Sequence, residues 1–142
     1  MDDTIKLLKE CDAGSVMAVE TIEKVMDDVK SDDLHELLEK SVQNHKKLGN
    51  EIHEQLNEQG ASGKEPSMMG RASAWITSEF KLMVEDSDHQ IAKLVMNGCN
   101  MGVQSLSEYI NKYDDASSKS QRLANALVSE EQHLMDDLRS YL

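Results

Sequence analysis

Apolar residues recur every three or four positions along four long stretches of this chain. That spacing places them on one face of a helix, where they pack against neighbouring helices. The four stretches predict helices over about residues 2–30, 33–58, 88–113 and 117–141. The stripe of the first helix comprises Ile5, Leu8, Asp12, Ser15, Val19, Ile22, Met26 and Val29.

The other three helices carry similar stripes. The second comprises Leu34, Leu38, Ser41, His45, Leu48, Ile52 and Leu56. The third comprises Ile91, Val95, Gly98, Gly102, Ser105, Tyr109 and Tyr113. The fourth comprises Leu123, Leu127, Glu130, Leu134, Leu138 and Tyr141. The small residues of the third stripe would let a side chain such as His45 approach closely, or would mark a bend.

Two acidic residues and one histidine fall on these apolar stripes: Asp12, Glu130 and His45. A buried carboxylate needs a partner, so we expect Asp12 to pair with a lysine or a backbone group at the end of the bundle. An inner histidine is more often a hydrogen-bonded core residue than a metal ligand. Both interpretations of His45 stay open.

Turn and capping residues separate the stripes. Ser31 begins a cluster that can cap the second helix, and Ser117 or Ser118 can cap the fourth. The longest connection opens with a Gly- and Pro-containing loop over residues 59–66 and continues as a short helix over about residues 67–84. We expect this helix to cross the bundle and to cover one end or flank with Trp75 and Phe80.

The lengths of the connections predict the directions of the helices. Short turns make the first and second helices antiparallel, and likewise the third and fourth. The long connection can return the chain to the starting end, which makes the third helix parallel to the second. We therefore predict an all-α domain over residues 1–142: a four-helix bundle with one long crossover that contains an extra short helix.

Composition narrows the function classes. The formal net charge of -12 disfavours nucleic acids and anionic lipid surfaces as partners, and it fits either a solvated bacterial cytosolic surface or a protein that gathers cations. Cys11 and Cys99 are too few for a disulfide framework or a thiolate zinc site, so we expect free thiols. No leader-like segment opens the chain and no apolar stretch approaches about 18 residues. We expect a soluble cytoplasmic protein, unless a signal peptide has been removed.

The fourth helix carries the clearest candidate chemistry. Glu130 and His133 are three residues apart and share a helix face, which is half of a carboxylate-bridged metal site in a helical bundle. The helix midpoints place His45, Glu130 and the adjacent Cys99 and Asn100 at one level.

Four segments of the chain carry a family likeness: residues 8–14 (LKECDAG), 70–75 (GRASAW), 90–100 (QIAKLVMNGCN) and 132–138 (QHLMDDL). With these segments the chain resembles the ferritin-like superfamily, and more narrowly its small stand-alone bacterial members of uncharacterised function. The resemblance covers nearly the whole chain. It implies a ferritin-like fold more than it implies an activity.

The resemblance also implies a ligand pattern. Di-iron members carry a Glu on the first and third helices and Glu-x-x-His on the second and fourth. By position, the fourth helix matches with Glu130 and His133, whereas the second keeps His45 but has Val42 three residues before it. Glu20 is near the right level on the first helix. The matching positions of the third helix are Met96, Cys99 and Asn100.

Two bridging carboxylates are therefore missing, and we do not expect oxidase or ferroxidase chemistry. One alternative is a single iron, manganese or zinc ion held by Glu20, His45, Glu130 and His133. The other, which we prefer, is a buried hydrogen-bonded pair of His45 and Glu130, which would raise the pKa of the histidine.

Our leading hypothesis is a non-enzymatic ferritin-like bundle, with a role in bacterial stress or sporulation, that acts by association with itself or a protein partner. The nine Met residues, Met68 and Met69 among them, can form an adaptable contact surface or fill the core. The rival is a metal-binding protein with the four ligands above. A helical partner-binding module unrelated to ferritins would instead lack the crossover.

Overall fold

A computed structural model describes residues 2–61 and 87–142 of the chain. In these residues four α-helices form a bundle: α1 (Asp3–Met26), α2 (Asp32–Glu58), α3 (Ser87–Lys112) and α4 (Ser118–Leu138). A single turn of 3₁₀ helix, Arg139–Tyr141, follows α4. The described residues contain no strand, and none of their helices is long and apolar enough to cross a membrane. The all-α, four-helix prediction is confirmed.

Two of the helices are shorter than their stripes predict. The first ends at Met26 and not near residue 30, because the backbone N–H of its C-cap, Asp27, turns back to the carbonyl of Val25. The fourth ends at Leu138, and the three residues after it tighten into the 3₁₀ turn. Helix ends often tighten in this way, because their last carbonyls have no partner one turn ahead.

Side chains cap three of the helices. The side chains of Asp2, Ser31 and Ser117 each accept a hydrogen bond from a backbone N–H in the first turn of α1, α2 and α4. Such a cap stabilises a helix by about 1 kcal/mol, because it satisfies an N–H that otherwise has no acceptor. The capping role predicted for Ser31 is confirmed, and Ser117, not Ser118, caps α4.

Hydrogen bonds at the two ends of the bundle give the helix directions. The carboxylate of Asp88, at the start of α3, accepts from the backbone N–H groups of Lys30 and Ser31 at 2.8 and 3.0 Å. At the opposite end, the N–H of Ser117 donates to Thr4 Oγ1 at 2.9 Å. The helices α2 and α3 therefore run in the same direction, antiparallel to α1 and α4, as the long connection predicted.

The long connection joins the two ends of the bundle. Ala61 packs with the apolar cluster near the start of α1, whereas the Ser87 hydroxyl donates to the carbonyl of Asp28 beyond the end of α1. The predicted short helix, with Trp75 and Phe80, lies outside the described residues.

Two apolar clusters fill the bundle, one towards each end. The cluster near the turn between α1 and α2 includes Ile22, Leu38 and Leu134, and the other includes Leu8, Ile52 and Leu127. Burial of each such side chain contributes about 1.5–3 kcal/mol. His45 and Glu131 lie where the two clusters meet, so the polar groups described next are surrounded by aliphatic packing on both sides.

The buried stripe of α3 differs from the predicted one. The structure buries Ile91, Val95, Cys99 and Leu106, whereas Ser105, which the predicted stripe included, is exposed. The stripe continues from Val95 by a step of four residues to Cys99, not by three to Gly98. Steps of three and four both fit a helical face, and here the larger apolar side chain is the buried one.

Candidate functional site

His45 of α2 is the centre of the polar layer in the middle of the bundle. Its side chain is fully buried. Ring atom Nδ1 lies 2.8 Å from the carbonyl oxygen of Ser41, and Nε2 lies 3.2 Å from Oε1 of Glu131 on α4. A carbonyl oxygen can only accept a hydrogen bond, so Nδ1 carries a hydrogen and Nε2 is the atom aimed at the carboxylate.

The surroundings of His45 favour its charged form. Burial on its own would lower the pKa of the ring, but the hydrogen bond and the negative charge of Glu131 outweigh burial, helped by the carbonyl of Ser41 and the carboxylate of Glu130. The pKa of His45 is raised above its ordinary value of 6.5. The raised pKa favours an ion pair between His45 and Glu131, in which a proton on Nε2 donates to the carboxylate.

Cys99 of α3 completes the layer from a third helix. Its side chain is buried. Burial, followed by the negative charge of Glu131, raises the pKa of the thiol far above its usual range, so the thiol stays protonated. Gly102, one turn further along α3, has no side chain, and a Cβ there would lie 3.4 Å from the carboxylate carbon of Glu131.

The predicted pair of His45 and Glu130 is wrong, because the hydrogen-bond partner of His45 is the next residue, Glu131. Successive residues of an α-helix are about 100° apart, and the buried residues of α4 centre on a line closer to Glu131 than to Glu130. Glu130 lies at the edge of the α2–α4 interface, where it accepts from Asn44 Nδ2 at 3.2 and 3.3 Å and from Ser41 Oγ at 3.3 Å.

The four predicted metal ligands occupy different surroundings. His45 is buried, Glu130 and Glu20 are half-buried, and His133 is exposed in an open groove between α2 and α4. Glu20 is level with His45 along the bundle but lies about 140° around α1 from the inward-facing Ser15. Its Oε2 atom is buried without a hydrogen-bond partner among the described residues.

Within residues 2–61 and 87–142, three or more carboxylate, imidazole or thiol side chains lie close enough together to share one metal ion at a single place. There the ligand atoms of Asp3, Asp114 and Asp115 all lie within 4.8 Å of one another, at the exposed end of the bundle. No three of the predicted ligands are this close. The donors of the central layer do not fit two iron ions, because α3 presents a thiol and a glycine where a bridging carboxylate is needed.

A second polar contact joins α1 to α2. The fully buried Asp12 places Oδ1 2.8 Å from Nε2 of His53, whose side chain is about half exposed at 49%. This histidine was not expected to be the partner, since it lies off the apolar stripe of α2. Its ring reaches back from the edge of the helix towards the buried acid.

The comparisons with known proteins show the fold alone. No protein family and no curated protein matches the sequence. Among solved structures, the chain is similar to a DUF305 fragment from Deinococcus radiodurans, with a TM-score of 0.77 and 14% sequence identity over 99% of this chain and 95% of that chain. This likeness supports an all-helical bundle fold. It names no ferritin-like protein and no activity.

Proposed function

We propose that the chain is a non-enzymatic bundle of the ferritin-like type that acts by associating with a second copy of itself. The observation that carries this proposal is the closed state of the central layer. Both ring nitrogens of His45 are engaged within the bundle, and Glu130 is held by Asn44 and Ser41. These groups stabilise one another, which leaves the outer surface as the part that acts on other molecules.

The surface best suited to a second copy lies between α3 and α4. It is a groove lined by Met96, Met135 and Leu142, together with Asp136 and Arg139. Leu142 is 53% exposed. Two chains that each carry a charge of -12 repel one another, but this groove holds an acid and a base side by side. In a two-fold contact, Arg139 of each copy would face Asp136 of the other.

Light scattering coupled to size-exclusion chromatography tests this proposal on the full chain. We expect a dimer that Arg139→Glu weakens and that Arg139→Glu combined with Asp136→Arg restores. Arg122→Glu is the matched control, because Arg122 is an exposed arginine on α4 that does not line the groove. A monomer at every concentration, or capture of a different protein by this surface, would overturn self-association.

The second candidate is a protein that binds one iron, manganese or zinc ion through Glu20, His45, Glu130 and His133. It is favoured by the orientation of His45, since metal-binding histidines usually donate their other ring N–H to a carbonyl or carboxylate. The buried Oε2 of Glu20 would accept a cation. Elemental analysis of tag-free protein decides this case: stoichiometric metal that His133→Ala removes would support it.

We further propose a cytoplasmic location. Cys11 and Cys99 are both free and both buried, and they belong to different apolar clusters. Unpaired thiols suit a reducing compartment. Quantifying the free thiols of protein isolated from its native cell tests the location, and two thiols per chain are expected.

A further inference from the structure

Two methionines line the groove between α3 and α4, one from each helix. They are Met96 on α3 and Met135 on α4. Each side chain is half-buried and packs against the apolar cluster that includes Leu38 and Leu134. We propose, on the basis of the self-association described above, that peroxide oxidation of these two thioethers to sulfoxides keeps the second copy out of the groove. The association of the two chains is then sensitive to oxidants.

The reaction needs a peroxide and no other co-reactant. A lone pair of the methionine sulfur attacks one oxygen of hydrogen peroxide, and the O–O bond breaks. The sulfur keeps the attacked oxygen as a sulfoxide. The leaving hydroxide takes the proton of that oxygen and departs as water. The thioether is oxidised and the peroxide is reduced.

The product is unsuited to an apolar contact. A thioether is a soft, apolar group, whereas the sulfoxide oxygen is a polar hydrogen-bond acceptor. Met96, Met135 and the exposed Leu142 provide the apolar part of the groove. Covering the new oxygens with a second copy would remove them from water, which costs free energy unless each finds a donor. Oxidation should therefore weaken the contact between copies.

The free chain is the form that reacts. A second copy seated in the groove would cover both sulfurs, whereas the single chain leaves them half-buried beside an open groove. Oxidised chains no longer pair, so more dimer dissociates to restore the balance between monomer and dimer. The dimer is thus depleted without any reaction inside the interface.

The two cysteines compete poorly for the same oxidant. Peroxide reacts with the thiolate form of cysteine and needs access to it. Cys11 and Cys99 are both buried. Burial raises the pKa of Cys11 to about 12 and that of Cys99 far above its usual range, so both thiols stay protonated at neutral pH. Methionine sulfur is therefore the form of sulfur that responds first.

Peptide mass spectrometry of the wild-type chain after a pulse of hydrogen peroxide tests the location. The pulse is given at two protein concentrations, one at which the chain is monomeric and one at which it is dimeric. Sulfoxide formation at Met96 and Met135 should be slower at the higher concentration. Met101 is the matched control, because it is 52% exposed on α3 and does not line the groove. Its oxidation should be equally fast at both concentrations.

Light scattering coupled to size-exclusion chromatography tests the consequence. Oxidation should raise the dissociation constant of the wild-type dimer by at least about tenfold. The double variant Met96→Leu with Met135→Leu has no sulfur in the groove and should not respond to peroxide, when compared with its own untreated form. Met101→Leu should respond like the wild type. Circular dichroism of the oxidised wild type should show an unchanged helix content.

The outcomes separate this proposal from self-association itself. An untreated chain that is monomeric at every concentration would overturn both. A dimer that persists after Met96 and Met135 are oxidised would overturn the oxidant response alone. So would a double variant that dissociates in peroxide like the wild type, or a loss of helix content that accompanies dissociation.

Discussion

In the part of the chain that the structure describes, the contacts His45–Glu131 and His53–Asp12 each join neighbouring helices, and they differ in how far the histidine is buried. In the middle, both His45 and Glu131 are shielded from water and lie 3.2 Å apart. Between α1 and α2, Asp12 is buried but His53 is half exposed, at 2.8 Å. Distance alone would rank the second contact as stronger. Burial reverses the ranking. If its partner is lost, the half-exposed ring of His53 can bind water instead, whereas the buried ring of His45 cannot.

The largest effect is expected from Glu131→Ala. This change leaves the imidazole of His45 buried without its partner, and breaking a buried ion pair from one side costs about 3–5 kcal/mol. Urea unfolding of protein kept in a chelator measures the loss.

Glu130→Gln is the control at the adjacent position. It should cost under about 1 kcal/mol, since Glu130 is half-buried at the helix interface. Equal losses in the two variants would refute the assignment of Glu131 as the partner.

The neighbouring residues Glu130 and Glu131 also show what the sequence can predict. Apolar periodicity predicts the four helices, and the helix midpoints bring an acid of α4 level with His45. Periodicity does not choose between steps of three and four, because both return to nearly the same helix face. The choice depends on how α4 rotates to pack Leu127 and Leu138, which is a property of the assembled bundle.

The partner of Asp12 was beyond prediction for a different reason. The sequence correctly marks Asp12 as a buried acid in need of a partner. His53 lies off the apolar stripe of α2, yet its ring is long enough to reach the acid from the edge of the helix. Side-chain reach across an interface leaves no periodic signal, so only the placement of α1 against α2 identifies this contact.

The second largest effect should separate Asp12 from His53. Asp12→Ala removes a buried carboxylate, so the groups that contact it lose their partner. We expect this change to lower the free energy of unfolding by about 2–3 kcal/mol. His53→Ala removes a half-exposed ring and should cost about 1 kcal/mol. The same urea experiment compares them. If His53→Ala proves as costly as Asp12→Ala, the half-exposed ring of His53 contributes as much as a buried group. That result would contradict the proposed difference between this contact and the buried His45–Glu131 pair.

The pH dependence of stability offers a third test of the comparison. The folded chain holds the pKa of His45 above 6.5, mainly because Glu131 overcomes the effect of burial. The unfolded chain titrates near the ordinary value, so the stability from this pair is fully present below pH 6.5 and is lost as the pH rises through the raised folded value.

Unfolding measured in a chelator from pH 6.5 upward should therefore show declining stability. Asp12→Asn should keep this decline, because the central pair is intact. Glu131→Gln should remove or invert it, because burial then acts on His45 without its main opposing negative charge, and only the more distant Glu130 carboxylate remains. A wild-type profile that rises over the same range would contradict the buried ion pair.

The smallest effects are expected at the two glycines beside these contacts. Replacing glycine by alanine inside a helix is favourable by up to about 1 kcal/mol. At Gly102 the added Cβ would meet the Glu131 carboxylate at 3.4 Å, an ordinary contact, so Gly102→Ala should be neutral or slightly stabilising in metal-free protein.

At Gly49 the Cβ would meet Ser15 Oγ at 3.3 Å. That hydroxyl is buried and already donates to the carbonyl of Asp12 at 2.9 Å, so it cannot easily move. Gly49→Ala should therefore gain less than Gly102→Ala. Thermal unfolding of the two variants measures the difference, and a larger gain at Gly49 would mean that Ser15 yields more readily than the central ion pair.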